Sequence, residues 1–255
     1  LLSDYSQNFS DSLRNPSDLQ SPQWDFKAPQ LPDIDFENNE FLRALPRDHH
    51  KFSYAYDLQR PELPNGGIGF INGINTLESE SRSHMNYISD LAGGSNIHGV
   101  YNRTRGTIND IDQSVGQLYL HVPSKAMFDQ MSTWSNFFKN NNEDPFLQIC
   151  HSQATIIVRN GLEWMPREQR NRIIVVAIAP AAYINKNLCR EIYHYRSEKD
   201  IVPKIDIGGR YQCKDTTTVL KPHRDAIGMD HDFQSTTYRN IIEDHIQSYF
   251  EILKR

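Results

Sequence analysis

From about residue 51 the chain alternates short apolar runs with longer stretches in which apolar residues recur every three or four positions. Phe52-Ser53-Tyr54-Ala55-Tyr56 alternates with the period of a half-buried strand. Gly67-Ile68-Gly69-Phe70-Ile71 is a short apolar run bounded by turn residues and predicts a buried strand. Leu77 to Leu91 has helical texture and stops at Gly93-Gly94, after which Asn96 to Tyr101 reads as a strand. Between Pro123 and Lys139, Met127, Met131, Trp134, Phe137 and Phe138 fall at helical spacing, and Pro145 resets the chain before the strand Phe146-Leu147-Gln148-Ile149-Cys150. A helix from Thr155 to Trp164, strands at Arg172 to Ala179 and Glu191 to Tyr195, and an amphipathic helix from Thr236 to Leu253 complete the pattern. Strands alternating with helices predict an α/β fold: a mostly parallel sheet with helices on both faces.

Residues 1–50, rich in Ser, Asp, Asn, Gln and Pro, lack a sustained period and read as an extended arm or linker, leaving residues 51–255 as one α/β domain. A polar insertion at 103–123, with Arg103, Arg105, Asp110 and Asp112, is either a lid or a surface loop. A net charge of −5 offers no basic field and argues against nucleic acid as a partner. No apolar run approaches the roughly 18 residues of a membrane span, so no integral membrane segment is expected, and Leu1-Leu2-Ser3-Asp4 does not open a signal peptide. The three cysteines, Cys150, Cys189 and Cys213, have no paired metal spacing and fit a reducing compartment, so the chain reads as cytoplasmic when synthesised.

The strongest chemical signal is Ile149-Cys150-His151-Ser152-Gln153-Ala154, where an apolar strand hands over to a helix. A nucleophile elbow needs small residues two before and two after the nucleophile; Cys150 and Ala154 stand where glycines are usual. Such a turn exposes the serine hydroxyl, and the N–H of Gln153 becomes an oxyanion donor at a helix N-terminus. A serine in this place is also a common helix N-cap, and Cys150 is a rival nucleophile.

A serine nucleophile requires a base and an acid, which in this fold class follow in the order Ser, Asp, His. Asp200 lies just past a strand and before Val202-Pro203, and is the candidate acid, with Asp206 the alternative. His231, in Gly228-Met229-Asp230-His231-Asp232-Phe233 ahead of the last helix, is the candidate base, with His223 and His245 as competitors. The second oxyanion donor is assigned to the N–H of Ile74 in Asn72-Gly73-Ile74, with Gly73 permitting the turn, and Asn72, Gly73 and His151 are placed at the substrate pocket. Gly66-Gly67-Ile68-Gly69 precedes a strand instead of opening a helix and so lacks the context of a phosphate cradle.

Beyond this pattern, Gly69-Phe70-Ile71-Asn72-Gly73-Ile74, Val100-Tyr101-Asn102-Arg103-Thr104-Arg105-Gly106, Ile149-Cys150-His151-Ser152-Gln153, Ala177-Ile178-Ala179-Pro180-Ala181 and His231-Asp232-Phe233-Gln234-Ser235 resemble a hydrolase-like domain of unknown function found mainly in chlamydia-like intracellular bacteria. The resemblance covers about residues 50–250. It implies an α/β-hydrolase-like domain, and leaves room for a role at the host interface, with a host protein as partner and export into a host cell. The expected chemistry is acyl transfer on a small-molecule or lipid ester or thioester, with no metal or organic cofactor required. The competing expectation is a catalytically inactive scaffold serving as a binding module or secreted effector, because both signature turns have altered residues.

Overall fold

A computed structural model of the chain describes residues 53–103, 124–141 and 143–255. The arm expected at 1–50, and the 103–123 insertion beyond Arg103, lie outside the described residues. The strands are β1 (Tyr54–Asp57), β2 (Gly67–Ile71), β3 (His98–Tyr101), β4 (Phe146–His151), β5 (Ile173–Ile178), β6 (Glu191–Ser197) and β7 (Thr217–Leu220). They form one sheet in the order β1-β3-β2-β4-β5-β6-β7. β1 pairs antiparallel with β3, and every other pairing is parallel. The α-helices are α1 (Glu78–Leu91), α2 (Lys125–Asn140), α3 (Ala154–Trp164), α4 (Arg167–Arg170), α5 (Ile207–Gln212) and α6 (Thr236–Leu253).

The two-sided burial of the central strands explains why they are mostly apolar along their whole length. On β5, Ile173, Val175 and Ala177 enter one core with Met127, Met131 and Trp134 of α2 and Val158 and Leu162 of α3. The alternate residues Ile174, Val176 and Ile178 enter the other with Met85 and Ile88 of α1 and Tyr238, Ile242, Ile246 and Tyr249 of α6. A one-residue slip would exchange these faces, so the register is strongly specified. β4 carries one polar residue into the first core, and it is satisfied there: Gln148 Oε1 accepts from Gln130 Nε2 at 2.8 Å and Trp134 Nε1 at 2.9 Å.

The elements expected from periodicity appear within a few residues of their expected ends. α4, α5 and β7 are not among the elements expected from periodicity. β7 is a half-exposed edge strand, Thr217-Thr218-Val219-Leu220, too polar and short to stand out, and α4 and α5 span only four and six residues. Among the described residues, no helix is long and apolar enough to cross a membrane.

Candidate active site

The parallel strands β2, β4 and β6 all deliver their C-terminal ends to the same edge of the sheet, where open α/β sheets place ligands. Ile71 pairs with Cys150 across β2 and β4, so Asn72-Gly73 leaves the sheet alongside His151-Ser152. Ser152 follows β4 with φ of +55°, a left-handed conformation that costs a non-glycine residue roughly 1–3 kcal/mol. Backbone hydrogen bonds on both sides of the residue hold it there. Its N–H donates to the Ile178 carbonyl at 3.0 Å, and its carbonyl accepts the N–H of Ala181 at 3.1 Å and the Thr155 hydroxyl at 2.8 Å. Cys150 and Ala154, on either side of the turn, are small and fully buried in the first core.

Four non-glycine residues with positive φ, Asn75, Ser152, Ala179 and Asp230, lie in the loops at this edge of the sheet. Strain of this kind persists only where surrounding structure imposes it and clusters at functional sites.

Asp200, Ser152 and His231 come together in a continuous hydrogen-bonded chain. His231 Nδ1 is 2.6 Å from Asp200 Oδ2, and His231 Nε2 is 2.8 Å from Ser152 Oγ. Because a carboxylate only accepts, Nδ1–H donates to Asp200; in the neutral ring Nε2 then accepts from the serine hydroxyl. Asp200 is fully buried and its second oxygen accepts the Val202 N–H at 3.0 Å, while the His231 side chain keeps 22% of its surface open to solvent.

The alternatives are occupied elsewhere. Asp206 is the N-cap of α5, accepting from the N–H groups of Gly209 at 2.8 Å and Tyr183 at 3.0 Å. His223 is an exposed ring 3.4 Å from Asp225, and His245 bonds the Tyr195 hydroxyl at 2.8 Å. Cys150 is fully buried, donates to the Val176 carbonyl, and burial pushes its thiol far above the ordinary range.

The turn after β2 sits against the serine. A Cβ on Gly73 would fall 2.8 Å from Ser152 Cβ, so only glycine allows this approach. Asn72 is fully buried and works as scaffold: Nδ2 donates to the Gly73 carbonyl at 2.9 Å and the Asn102 carbonyl at 3.0 Å, while Oδ1 accepts the Asn102 N–H at 2.9 Å and the Ser81 hydroxyl at 3.2 Å. Among the described residues the Ile74 N–H has no hydrogen-bond partner. Gln153 opens α3, and its side-chain oxygen accepts from Asn102 Nδ2 at 3.1 Å. His151 is buried under the site, its Nε2–H donating to the His231 carbonyl at 2.7 Å; burial, then the neighbouring His231, holds the ring well below the ordinary histidine range. Asn72 and His151 are thus buried scaffold, and Gly73 packs against Ser152.

Three supporting residues escaped the sequence reading: Asn102, which joins the β2 turn to Gln153; Asp230, which precedes His231; and Tyr238 on α6. The only local signal was at Asp230, where Ser235 and Thr237, residues of helix-capping type, follow at short spacing. Among the described residues no group of three or more His, Cys, Asp or Glu side chains is arranged to hold a metal ion.

The sheet order, the single antiparallel strand at one edge and the strained serine turn after β4 define an α/β-hydrolase fold. An arylesterase structure shares it at 12% identity, covering 98% of this chain and 97% of that one with a TM-score of 0.50. A dienelactone hydrolase from Anabaena variabilis is also similar, at 9% identity over 75% of this chain and 88% of that one, TM-score 0.47. So is an α/β serine hydrolase without a lid from Xanthomonas campestris, at 14% identity over 78% and 95%, TM-score 0.40. No curated protein matches the sequence. Residues 55–229 match the family described as protein of unknown function DUF687, and the chain belongs to that family.

Proposed function

We propose that the protein is a serine hydrolase that cleaves an ester or thioester through an acyl-enzyme. The observation that carries this reading is the Asp200–His231–Ser152 chain, at 2.6 and 2.8 Å, ending on a serine held at φ +55°. A helix cap needs neither the strained turn nor a histidine on its hydroxyl.

His231 Nε2 takes the Ser152 proton as Oγ attacks the acyl carbonyl, and Asp200 stabilises the imidazolium that forms. The N–H groups of Gln153 and Ile74 receive the developing oxyanion; each such donor is worth about a hundred- to a thousandfold in rate. His231 then protonates the leaving alkoxide or thiolate. In the second half-reaction water gives its proton to His231, attacks the acyl-enzyme and releases the acid with Ser152 restored. Apart from the substrate and water, every group in the cycle belongs to the chain, so no organic cofactor has a step to perform.

The test is hydrolysis of p-nitrophenyl esters and acyl thioesters of graded chain length by the native protein and Ser152→Ala. Turnover that rises and falls with chain length and disappears in the variant supports the proposal. Turnover equal in both contradicts it by removing Ser152 from the chemistry; none with any substrate contradicts it and favours the inactive scaffold.

A further inference from the structure

Asp200 and His231 arrive from separate segments, one after β6 and one ahead of α6, and the hydrogen bond between them requires both backbones to be held in register. A single phenol spans them. The Tyr238 hydroxyl accepts the Ser197 N–H at 2.9 Å and lies 3.3 Å from the Asp230 carbonyl, to which it donates. Ser197 ends β6, and its carbonyl accepts the Asp200 N–H at 3.2 Å. Asp230 immediately precedes His231, and its own left-handed backbone is braced through its carboxylate by the hydroxyls of Ser235 and Thr237. Tyr238 is fully buried in the α1/α6 core, so helix packing fixes the ring while the oxygen alone faces the two loops.

We propose that Tyr238 is a positioning residue whose hydroxyl sets the separation of Asp200 and His231. This rests on reading Ser152, His231 and Asp200 as the triad. Without the hydroxyl the ring still fills its place, but the Ser197 N–H and Asp230 carbonyl lose their common partner and the two loops are free to drift apart.

Tyr249 supplies the control. It lies on the same helix, equally buried, and its hydroxyl links the backbones of Gly67 and Pro145, at the start of β2 and β4 and so at the end of those strands away from Ser152. The experiment compares Tyr238→Phe and Tyr249→Phe by two readouts. One is the low-field proton NMR resonance of His231 Nδ1–H, assigned by its loss in His231→Ala. The other is the rate of labelling by a fluorophosphonate. Both variants should melt below the native chain. Only Tyr238→Phe should move or broaden the resonance, and its labelling should slow by about ten- to a hundredfold, as expected for a small misplacement of a reacting group. A native resonance in Tyr238→Phe, equal changes in both variants, or no such resonance in the native chain would overturn the proposal. If the native chain fails to label, the triad reading fails, while the resonance still decides whether Tyr238 positions the pair.

Discussion

Gly73 and Ser152 stand in a contact that admits no side chain between them: a Cβ on the glycine would lie 2.8 Å from Ser152 Cβ and 3.0 Å from His151 Nδ1. The turn that carries the Ile74 N–H therefore presses against the serine, and relief of an added methyl must push one away from the other. Gly73→Ala should slow fluorophosphonate labelling by about a hundredfold, the scale of one lost oxyanion donor, and lower stability by about 1–3 kcal/mol through overpacking. Labelling kinetics beside a urea titration check both; native-rate labelling would separate the turn from the chemistry.

Strain at Ser152 predicts an inversion of the usual order of two substitutions. At an unstrained position glycine is less stable than alanine by about 0.5–1 kcal/mol. At φ +55° the Cβ is the liability, so Ser152→Gly should be more stable than Ser152→Ala by about 1 kcal/mol. Both should be inert to the probe. Equal stability, or alanine ahead, would show that the left-handed turn is not held in solution.

The two candidate acids differ in what they touch. Asp200→Asn should fold and yet label about a thousandfold or more slowly, because an amide cannot balance the imidazolium and favours the wrong ring tautomer. Asp206→Asn should label at the native rate, since Asp206 only caps α5 and braces the Tyr183 N–H. The reverse pattern would transfer the role to Asp206.

The three thiols should be silent in the folded state. Cys150, Cys189 and Cys213 are all buried, and burial is the main cause that pushes the thiols of Cys189 up to about 12 and Cys213 up to about 11. Iodoacetamide at pH 8 should modify the native chain slowly and the urea-unfolded chain rapidly, as counted by intact mass. Cys150→Ala should keep its reactivity toward the fluorophosphonate. Loss of labelling in that variant, with its fold retained, would reopen Cys150 as a nucleophile.

His194 gives a pH dependence of definite sign. It is buried in β6, where Nε2 accepts the Ile184 N–H at 3.0 Å and Nδ1 faces the Thr216 hydroxyl at 3.1 Å, and burial pushes it down to about 4. The unfolded ring protonates near the ordinary value of about 6.5, so between these two values the unfolded state binds more protons. Its contribution to stability is complete above that range, falls as the pH drops through it and levels off near pH 4, by about 3 kcal/mol in all. His84, His151 and His245 shift in the same direction, each chiefly by burial, so the measurement is a difference. The stability gap between native chain and His194→Gln should narrow from pH 7 to pH 4.5; a constant gap contradicts the buried neutral ring.

Much of this was legible in the sequence because the relevant signals are local. β2, β4 and β5 are buried on both faces and therefore read as mostly apolar runs, β4 broken only by Gln148 before its terminal His151, and α6 matches its expected bounds because one face carries the whole periodicity. Ser152 could be found because an elbow is a strand end, small flanking residues and a helix start within six positions. β7 was not legible, since an edge strand buries little and needs no apolar run. Tyr238 and Asn102 were not legible either. Their roles arise from bonds to Ser197 and Asn72, 41 and 30 residues away, and nothing in their own neighbourhoods distinguishes them from ordinary core residues.

The central claim is that Ser152 is a nucleophile activated by His231. Its most direct test is intact-mass spectrometry after incubation with a fluorophosphonate, on the native chain, Ser152→Ala and His231→Ala, with the adduct located by peptide mapping. A single adduct on Ser152 in the native chain, and none in either variant, is the expected result. A well-folded native chain that takes up no adduct, or one whose adduct lies on another residue, would contradict it.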